Sequence, residues 1–330
     1  MNYLIDIFLN NRQHKSMYTE LHKQHKQHKE DVVVLGDGFF ARGFLHNIDR
    51  SKFNITQIYK DPFINPQDLM YSLQKNKPYT GSYHFRDIFY QKSDTIINAN
   101  ITKLSINDKK VVINNKDYSY NHLVIGLGAS KSLVDWKDQI NSYVGKKNLA
   151  FSILGMGPTG IEIATILSKY NKVNMYDMLG KDKVLSYVSE KNKEFLLGLL
   201  EGKGISQTYG ESYTGNNENV IFCGGTRSHS LTADFRINDK LEVIGKKDVY
   251  IGGDCANTDF IKNGQVAYNQ GAYVAKRLNG EISNEVAFSY KPNGISLNIG
   301  DKKVIIEGHN IIPDGIYPDI VIRMYSLFCI

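Results

Sequence analysis

Residues 151–164, FSILGMGPTGIEIA, limit what this chain can fold into more than any other stretch. An apolar run at Phe151, Ile153 and Leu154 enters Gly155-Met156-Gly157-Pro158-Thr159-Gly160 and leaves through Ile161, Glu162, Ile163 and Ala164. That order predicts a strand, a glycine turn and a helix, with the glycines spaced G-x-G-x-x-G. The first glycine permits the tight turn, the second lets backbone N–H groups approach a pyrophosphate, and the third lets helix pack close to strand. The helix then points its unsatisfied N–H groups and positive dipole end at the phosphates. With 28 glycines in 330 residues the spacing is a weak signal by itself, so context decides.

The context agrees. Residues 172–176, KVNMY, predict a second strand, and Asp177 closes it about 20 residues past the first glycine. An acid at that point accepts hydrogen bonds from adenosine ribose hydroxyls and repels a 2′-phosphate, which favours NADH over NADPH. The plainer alternative is a buried βαβ unit with an ordinary exposed Asp.

A second unit of this kind stands earlier in the chain. Val32-Val33-Val34-Leu35 predicts a parallel strand buried on both faces. It runs into Gly36-Asp37-Gly38-Phe39-Phe40-Ala41, a G-x-G-x-x-A turn, then a helix through Phe44, Leu45 and Ile48 and a strand over 54–59. No acid ends that strand, so Asp61 is the candidate ribose partner. Two such units imply two dinucleotides in one chain. One that stays and one that exchanges suits FAD reduced by NADH.

Between the units, 95–97 and 99–104 predict short strands, and Lys110 to Ile113 pairs with Tyr118 to Tyr120 across the turn 114–117. This meander is followed by a buried strand over 122–125 and the small-residue turn Gly126-Leu127-Gly128-Ala129.

Composition bounds the rest. A chain of 330 residues, 42% hydrophobic and 22% charged, suits a globular protein of two domains. A net charge of +6 is mild and argues for no particular partner. Cys223, Cys255 and Cys329 form no C-x-x-C and no disulfide framework, which favours a reducing compartment. No run of 18 apolar residues marks a membrane span. Residues 1–30 form a basic extension in which His22, His25 and His28 recur every third position, each followed by lysine. A solvated arm is the leading reading; a weak metal-binding helix face and a membrane-surface anchor are the others. No metal site is assigned. A nucleic-acid role is disfavoured, because no base-reading module accompanies the charge.

The segments VVVLGDGFFARGFLHNID, YNHLVIGLGA, ILGMGPTGIEIA, VIFCGGT, DVYIGGDCA and GQVAYNQGAYVAKRLN occur in this order. Over residues 31 to about 290 the chain therefore resembles type II NADH dehydrogenases and the related apoptosis-inducing-factor-like oxidoreductases. The resemblance implies an α/β fold of two Rossmann-like dinucleotide-binding domains, the FAD/NAD(P)-binding fold. An NADH unit at 149–223 would be inserted in a discontinuous FAD domain at 31–148 and 224–290, with a short C-terminal segment at 291–330.

It also implies roles. Gly36, Gly38, Ala41 and Gly128 would face FAD, and Asp254, in the GDCA turn with Cys255 and Ala256, would hold the ribityl hydroxyls. Gly155, Gly157, Gly160 and Asp177 would hold NADH, and Glu162 would lie near the nicotinamide and the flavin ring. Read without the family, Glu162 is a helix N-terminal acid that favours the dipole. The helix from Gln265 to Leu278 would aim its N-terminus at the flavin pyrimidine. The quinone edge would be formed by Gln265, Asn269 and Gln270, expected near one helix face.

Departures from the family pattern are equally informative. No cysteine pair stands by the flavin, which disfavours a dithiol relay. The family's A-Q-x-A-x-Q-Q-G reads here GQVAYNQG, with Asn269 for one Gln. Residues 206–219 are too short for the usual second meander. The expectation is an FAD-dependent NADH:acceptor oxidoreductase whose acceptor is a quinone. It is placed in the cytoplasm, peripheral to a membrane surface, with a homodimer compatible. The alternative is a flavin-binding scaffold or regulatory protein whose NADH site has degenerated. The apolar tail 315–330 is read equally as a membrane-surface helix or a helix docked on the protein's own core.

Overall fold

The computed structural model describes residues 28–62, 64, 66–80, 93–107, 109–129, 133–186, 188–260, 262–290, 295–300, 302–307 and 310–312. The His22 and His25 arm, the tail 315–330 and Cys329 lie outside the described residues.

The chain begins β1 (Glu30–Leu35), α1 (Phe39–Asn47), β2 (Phe53–Tyr59), α2 (Pro66–Lys75) and β3 (Thr95–Asn98). Next come β4 (Leu104–Asn107), β5 (Lys110–Ile113), β6 (Lys116–Ser119) and β7 (His122–Ile125). The middle of the chain supplies α3 (Leu133–Tyr143), β8 (Ala150–Leu154), α4 (Pro158–Leu167), β9 (Lys172–Asp177), α5 (Glu190–Gly202), β10 (Ser206–Tyr209) and β11 (Val220–Phe222). It ends with β12 (Val249–Ile251), one 3-10 turn at Gly253–Cys255, α6 (Gly264–Asn279), β13 (Ile295–Ile299), β14 (Lys302–Glu307) and β15 (Asn310–Ile312).

The first sheet is parallel throughout, in the order β12-β7-β1-β2-β3. Its central strands are continuous apolar runs because both faces are covered. Val32 and Val34 pack under α1 and α6 with Phe40, Phe44, Val266 and Val274. Val33 and Leu35 face the meander residues Ile106, Val111 and Ile113. α1 and α6 meet backbone to backbone: a Cβ on Gly43 would lie 2.0 Å from the Tyr268 carbonyl oxygen, and one on Gly271 2.0 Å from that of Phe40. β12 reaches this sheet from far down the chain, past β8 to β11, which belong to a sheet of their own.

That second sheet is also parallel, in the order β10-β9-β8-β11. α4 is buried from Gly160 to Leu167, which explains a helix apolar nearly all round. Its partners come from three parts of the chain: Leu69, Met70 and Leu73 of α2, Ile140 of α3, and Leu297 and Ile299 of β13. The C-terminal segment is thus partly accounted for, as an antiparallel three-stranded sheet with one strand in this core. A Gln74 Nε2 bond to the Gly300 carbonyl joins its turn to α2.

Two local expectations are corrected. Residues 99–103 are not a strand, and the strand expected over 99–104 starts at Leu104 instead. The Asn114 side chain holds that backbone: its amide nitrogen donates to the Asn100 carbonyl, and its oxygen accepts from Thr102 and Lys103 N–H at 3.0 and 3.2 Å. The meander's second turn is shorter than expected, Asn114-Asn115, both left-handed, so Ile113 pairs with Lys116. Positive φ at both central residues gives a hairpin the matching twist.

Candidate functional site

Two turns of one design stand at the C-terminal ends of β1 and β8. In each, the first glycine is demanded by the protein itself. Gly36 has φ +104°, and a Cβ there would lie 2.2 Å from the Gly126 carbonyl oxygen. Gly155 has φ +112°, and its Cβ would lie 2.4 Å from that of Cys223. The third position packs helix against turn: Ala41 is fully buried, and a Cβ on Gly160 would strike the Gly155 carbonyl at 2.1 Å.

The middle glycines are different. A Cβ on Gly38 or Gly157 would meet no atom of the described residues within 4 Å. Both residues are helix N-caps with extended backbone, so any residue fits the conformation. Nothing among the described residues explains glycine there; a ligand pressed against the backbone does. Neither helix has a side-chain cap or an acid in its first turn, so orphan N–H groups are left for an anion. Gly128, φ +74°, borders the first turn with equally open space at its Cβ. These open cradles fit the pyrophosphates of two dinucleotides.

The acids are arranged differently in the two units. Asp177 accepts from Met156 N–H at 2.8 Å and from Leu179 N–H at 2.9 Å, which fixes its carboxylate beside the turn. Gly155 N–H bonds the Tyr176 carbonyl, and Gly36 N–H bonds that of Ile58. By this register the counterpart of Asp177 in the first unit is Tyr59, and Asp61 stands exposed two residues beyond it. Asp61 is therefore not in the position that its expected ribose role requires. The first turn carries its own acid instead. Asp37, buried, accepts from Arg42 Nη2 at 2.9 Å, while Arg42 Nε donates to the Asp37 carbonyl at 3.0 Å. Gln57 Nε2 donates to the Gly36 carbonyl at 2.8 Å, and its oxygen accepts from Ser93 Oγ at 2.8 Å. Asp37, Arg42 and Gln57 escaped the sequence reading. The signals were present: an acid inside G-x-G, an arginine five residues on, and a glutamine at an inward position of an apolar strand.

β12 ends at the turn carrying Asp254, Cys255 and Ala256. Burial holds the Asp254 carboxyl above its ordinary range, opposed by the Lys262 charge. Cys255 is fully buried, its Sγ donates to the Gly252 carbonyl at 3.2 Å, and burial pushes the thiol up to about 11. A thiol so raised is inert at neutral pH. Thr232 Oγ1 donates to the Cys255 carbonyl at 2.9 Å and Ser228 Oγ to the Ala256 carbonyl at 3.4 Å, so residues 228–232 are sewn onto this turn.

α6 begins alongside. Gln270 is 2% exposed, and its Oε1 accepts from Gly253 N–H at 2.7 Å. It holds the turn in place and offers no exposed amide edge. The expectation that Gln265, Asn269 and Gln270 share a face is corrected, since about 100° per residue turns position 270 well away from 265. Asn269 Nδ2 bonds back to the Gln265 carbonyl at 2.9 Å. Gln265 Oε1 is buried with no hydrogen-bond partner among the described residues. Glu162, in α4, is 5% exposed and belongs to the second unit.

No family model matches the chain. It is 24% identical over 375 aligned positions to a type II NADH:quinone oxidoreductase of Staphylococcus haemolyticus, covering 86% of this chain and 92% of that relative. It is 23% identical over 351 positions to the mitochondrial external NADH-ubiquinone oxidoreductase 2 of Saccharomyces cerevisiae, where it spans 64% of the longer protein. Among solved structures, NDH2 from Plasmodium falciparum in complex with NADH superimposes with a TM-score of 0.69 at 14% identity, over 91% of this chain and 94% of that one. At that identity the structural likeness is one of fold.

Proposed function

We propose that this chain, one of the pyridine-nucleotide flavin oxidoreductases of the type II NADH dehydrogenase kind, is an FAD-dependent enzyme that moves electrons from NADH to a quinone. The observation that carries this reading is the pair of open middle glycines, Gly38 and Gly157, each at an uncapped helix N-terminus. FAD, when bound, supplies hydride acceptance and two-electron storage. The chain supplies position. Gly36, Gly38 and Ala41 receive one pyrophosphate on the α1 terminus, with Gly128 bordering it. Gly155, Gly157 and Gly160 receive the other on α4, and Asp177 presents a carboxylate to the NADH ribose. Asp254 accepts from the ribityl hydroxyls, with Cys255 and Ala256 as its dry support. Glu162 faces the junction of the two nucleotides. Gln265 reaches the acceptor edge, and Gln270 is reassigned from acceptor contact to support of the Gly253 turn.

The domain division belongs to the same proposal: FAD domain at 31–148 and 224–290, NADH unit at 149–223, flanked by 1–30 and 291–330. So do peripheral attachment to a membrane and a homodimer. No helix among the described residues is long and apolar enough to cross a membrane.

A second reading keeps the flavin and loses turnover. Residues 211–219 join β10 to β11 with no strand of their own, held by Asn217 Nδ2 on the Ala150 carbonyl at 3.0 Å and by Tyr213 edge-on to Tyr176. The absorption spectrum of purified protein before and after anaerobic NADH separates the two. Flavin bands that bleach support the enzyme; bands that persist support the scaffold; a colourless protein that FAD does not reconstitute sinks both.

A further inference from the structure

We infer that Lys262 is the cation that sets the reduction potential of the proposed flavin, held in place by the GDCA turn and by the segment that returns from the second unit. The inference rests on the FAD site proposed above. Lys262 lies just ahead of α6 and lines a cleft with Gly253, Asp254, Phe260, Val266 and Gln270. Its Nζ donates to Ser228 Oγ at 3.0 Å and to the Asp254 carbonyl at 3.1 Å. An ammonium carries three donors, and the third has no hydrogen-bond partner among the described residues. Two fixed acceptors from different segments keep the charge at the cleft, where a surface lysine would swing into water.

The surroundings match one kind of ligand edge. Asn263 caps α6 through Val266 N–H at 2.8 Å, which leaves the Gly264 and Gln265 N–H groups without an intrahelical acceptor. The helix dipole adds positive potential at the same point. Several donors and one positive charge complement the edge of a pyrimidine-dione, which offers carbonyl and ring-nitrogen acceptors.

The charge has a redox consequence. A hydride brings two electrons and one proton, so a neutral flavin that accepts it from NADH, leaving NAD⁺, gains one negative charge, spread over N1 and the 2-carbonyl. A cation at that edge favours the reduced form over the oxidised one, and its removal does the reverse. Asp254, the one acid lining the cleft among the described residues, works against Lys262, and the polar balance at this edge is set between them.

The test is the midpoint potential of the FAD-loaded full chain, measured by dye equilibration, with FAD affinity measured alongside. Lys262→Met is expected to shift the two-electron equilibrium at least tenfold toward oxidised flavin, about 30 mV more negative, and Lys262→Arg to restore most of it. Lys276→Met, on the exposed last turn of α6, is expected to leave the potential where it is. Should Lys262→Met not retain FAD, Lys262→Gln, which keeps a donor without the charge, is measured in its place with the same shift expected. A variant that holds FAD at the wild-type potential overturns the inference, as does an equal shift in Lys276→Met. Wild-type protein that takes up no FAD overturns the site itself, a result recognisable before any potential is measured.

Discussion

The two glycine turns share a backbone and differ in how each is secured. In the first, the acid is part of the turn: Asp37 is closed by Arg42, and Gln57 and Ser93 extend the network, all four buried. In the second, the acid comes from the strand end, where Asp177 is half-buried, and the residues after it, Met178 and Leu179, are 76% and 50% exposed. The first turn is braced from beneath by charge pairing; the second is open at its rim. Such a contrast suits one nucleotide that is kept and another that exchanges. It also shows that a single spacing motif does not dictate the electrostatics around it, since the acid is supplied from opposite sides of the same contact.

The comparison breaks most sharply at Arg42. Arg42→Ala leaves the Asp37 carboxylate buried without its cation, and loss of about 3–5 kcal/mol in folding stability is expected. Asp177→Asn, which removes the charge of the acid at the half-buried second turn, is expected to cost far less. Urea denaturation of both variants checks the ranking, and equal losses would mean that the brace is not what separates the turns.

The middle glycines sharpen it next. Gly38→Ala and Gly157→Ala meet no atom of the described residues, so both variants are expected to fold with near wild-type melting temperatures. FAD retention should fall about tenfold in the first and NADH affinity about tenfold in the second, each with the other ligand little changed. Parallel equilibrium titrations decide the matter, and a melting temperature that drops in either variant would mean that the protein's own packing demands the glycine.

Smaller effects are expected at the acids. Asp177→Ser removes the carboxylate that repels a 2′-phosphate, so the NADPH-to-NADH ratio of specificity constants should rise, partly offset by lost bonds to Met156 and Leu179 N–H. A wild type that already prefers NADPH would contradict this assignment. At the bottom of the scale, Asp61→Ala is expected to change FAD affinity by less than about twofold, because register places Tyr59 where the strand-end acid would stand. A larger loss would restore Asp61 to the site.

Much of the fold was legible in local pattern. The runs VVVL and HLVI are strands because only a doubly covered parallel sheet needs uninterrupted apolar side chains. G-x-G-x-x-G and G-x-G-x-x-A marked both turns, because close backbone approach tolerates few residue types. The Asn114-Asn115 hairpin and the failed strand at 99–103 were less legible. One asparagine side chain, through bonds across the sequence, decided that stretch.

The sequence by itself therefore determined the two strand–turn–helix units, their order and the candidate turns, all features that repeat within about one helix or strand length. Tertiary structure alone decided which acid stands at the first turn, that Gln270 supports Gly253, and that Lys262 is pinned between Ser228 and Asp254. It also decided that Leu297 and Ile299 complete the core around α4. These depend on residues far apart in the chain whose side chains meet only once the sheets are packed. Periodicity reports which way a side chain faces within its own element, and carries no record of what another element brings to meet it.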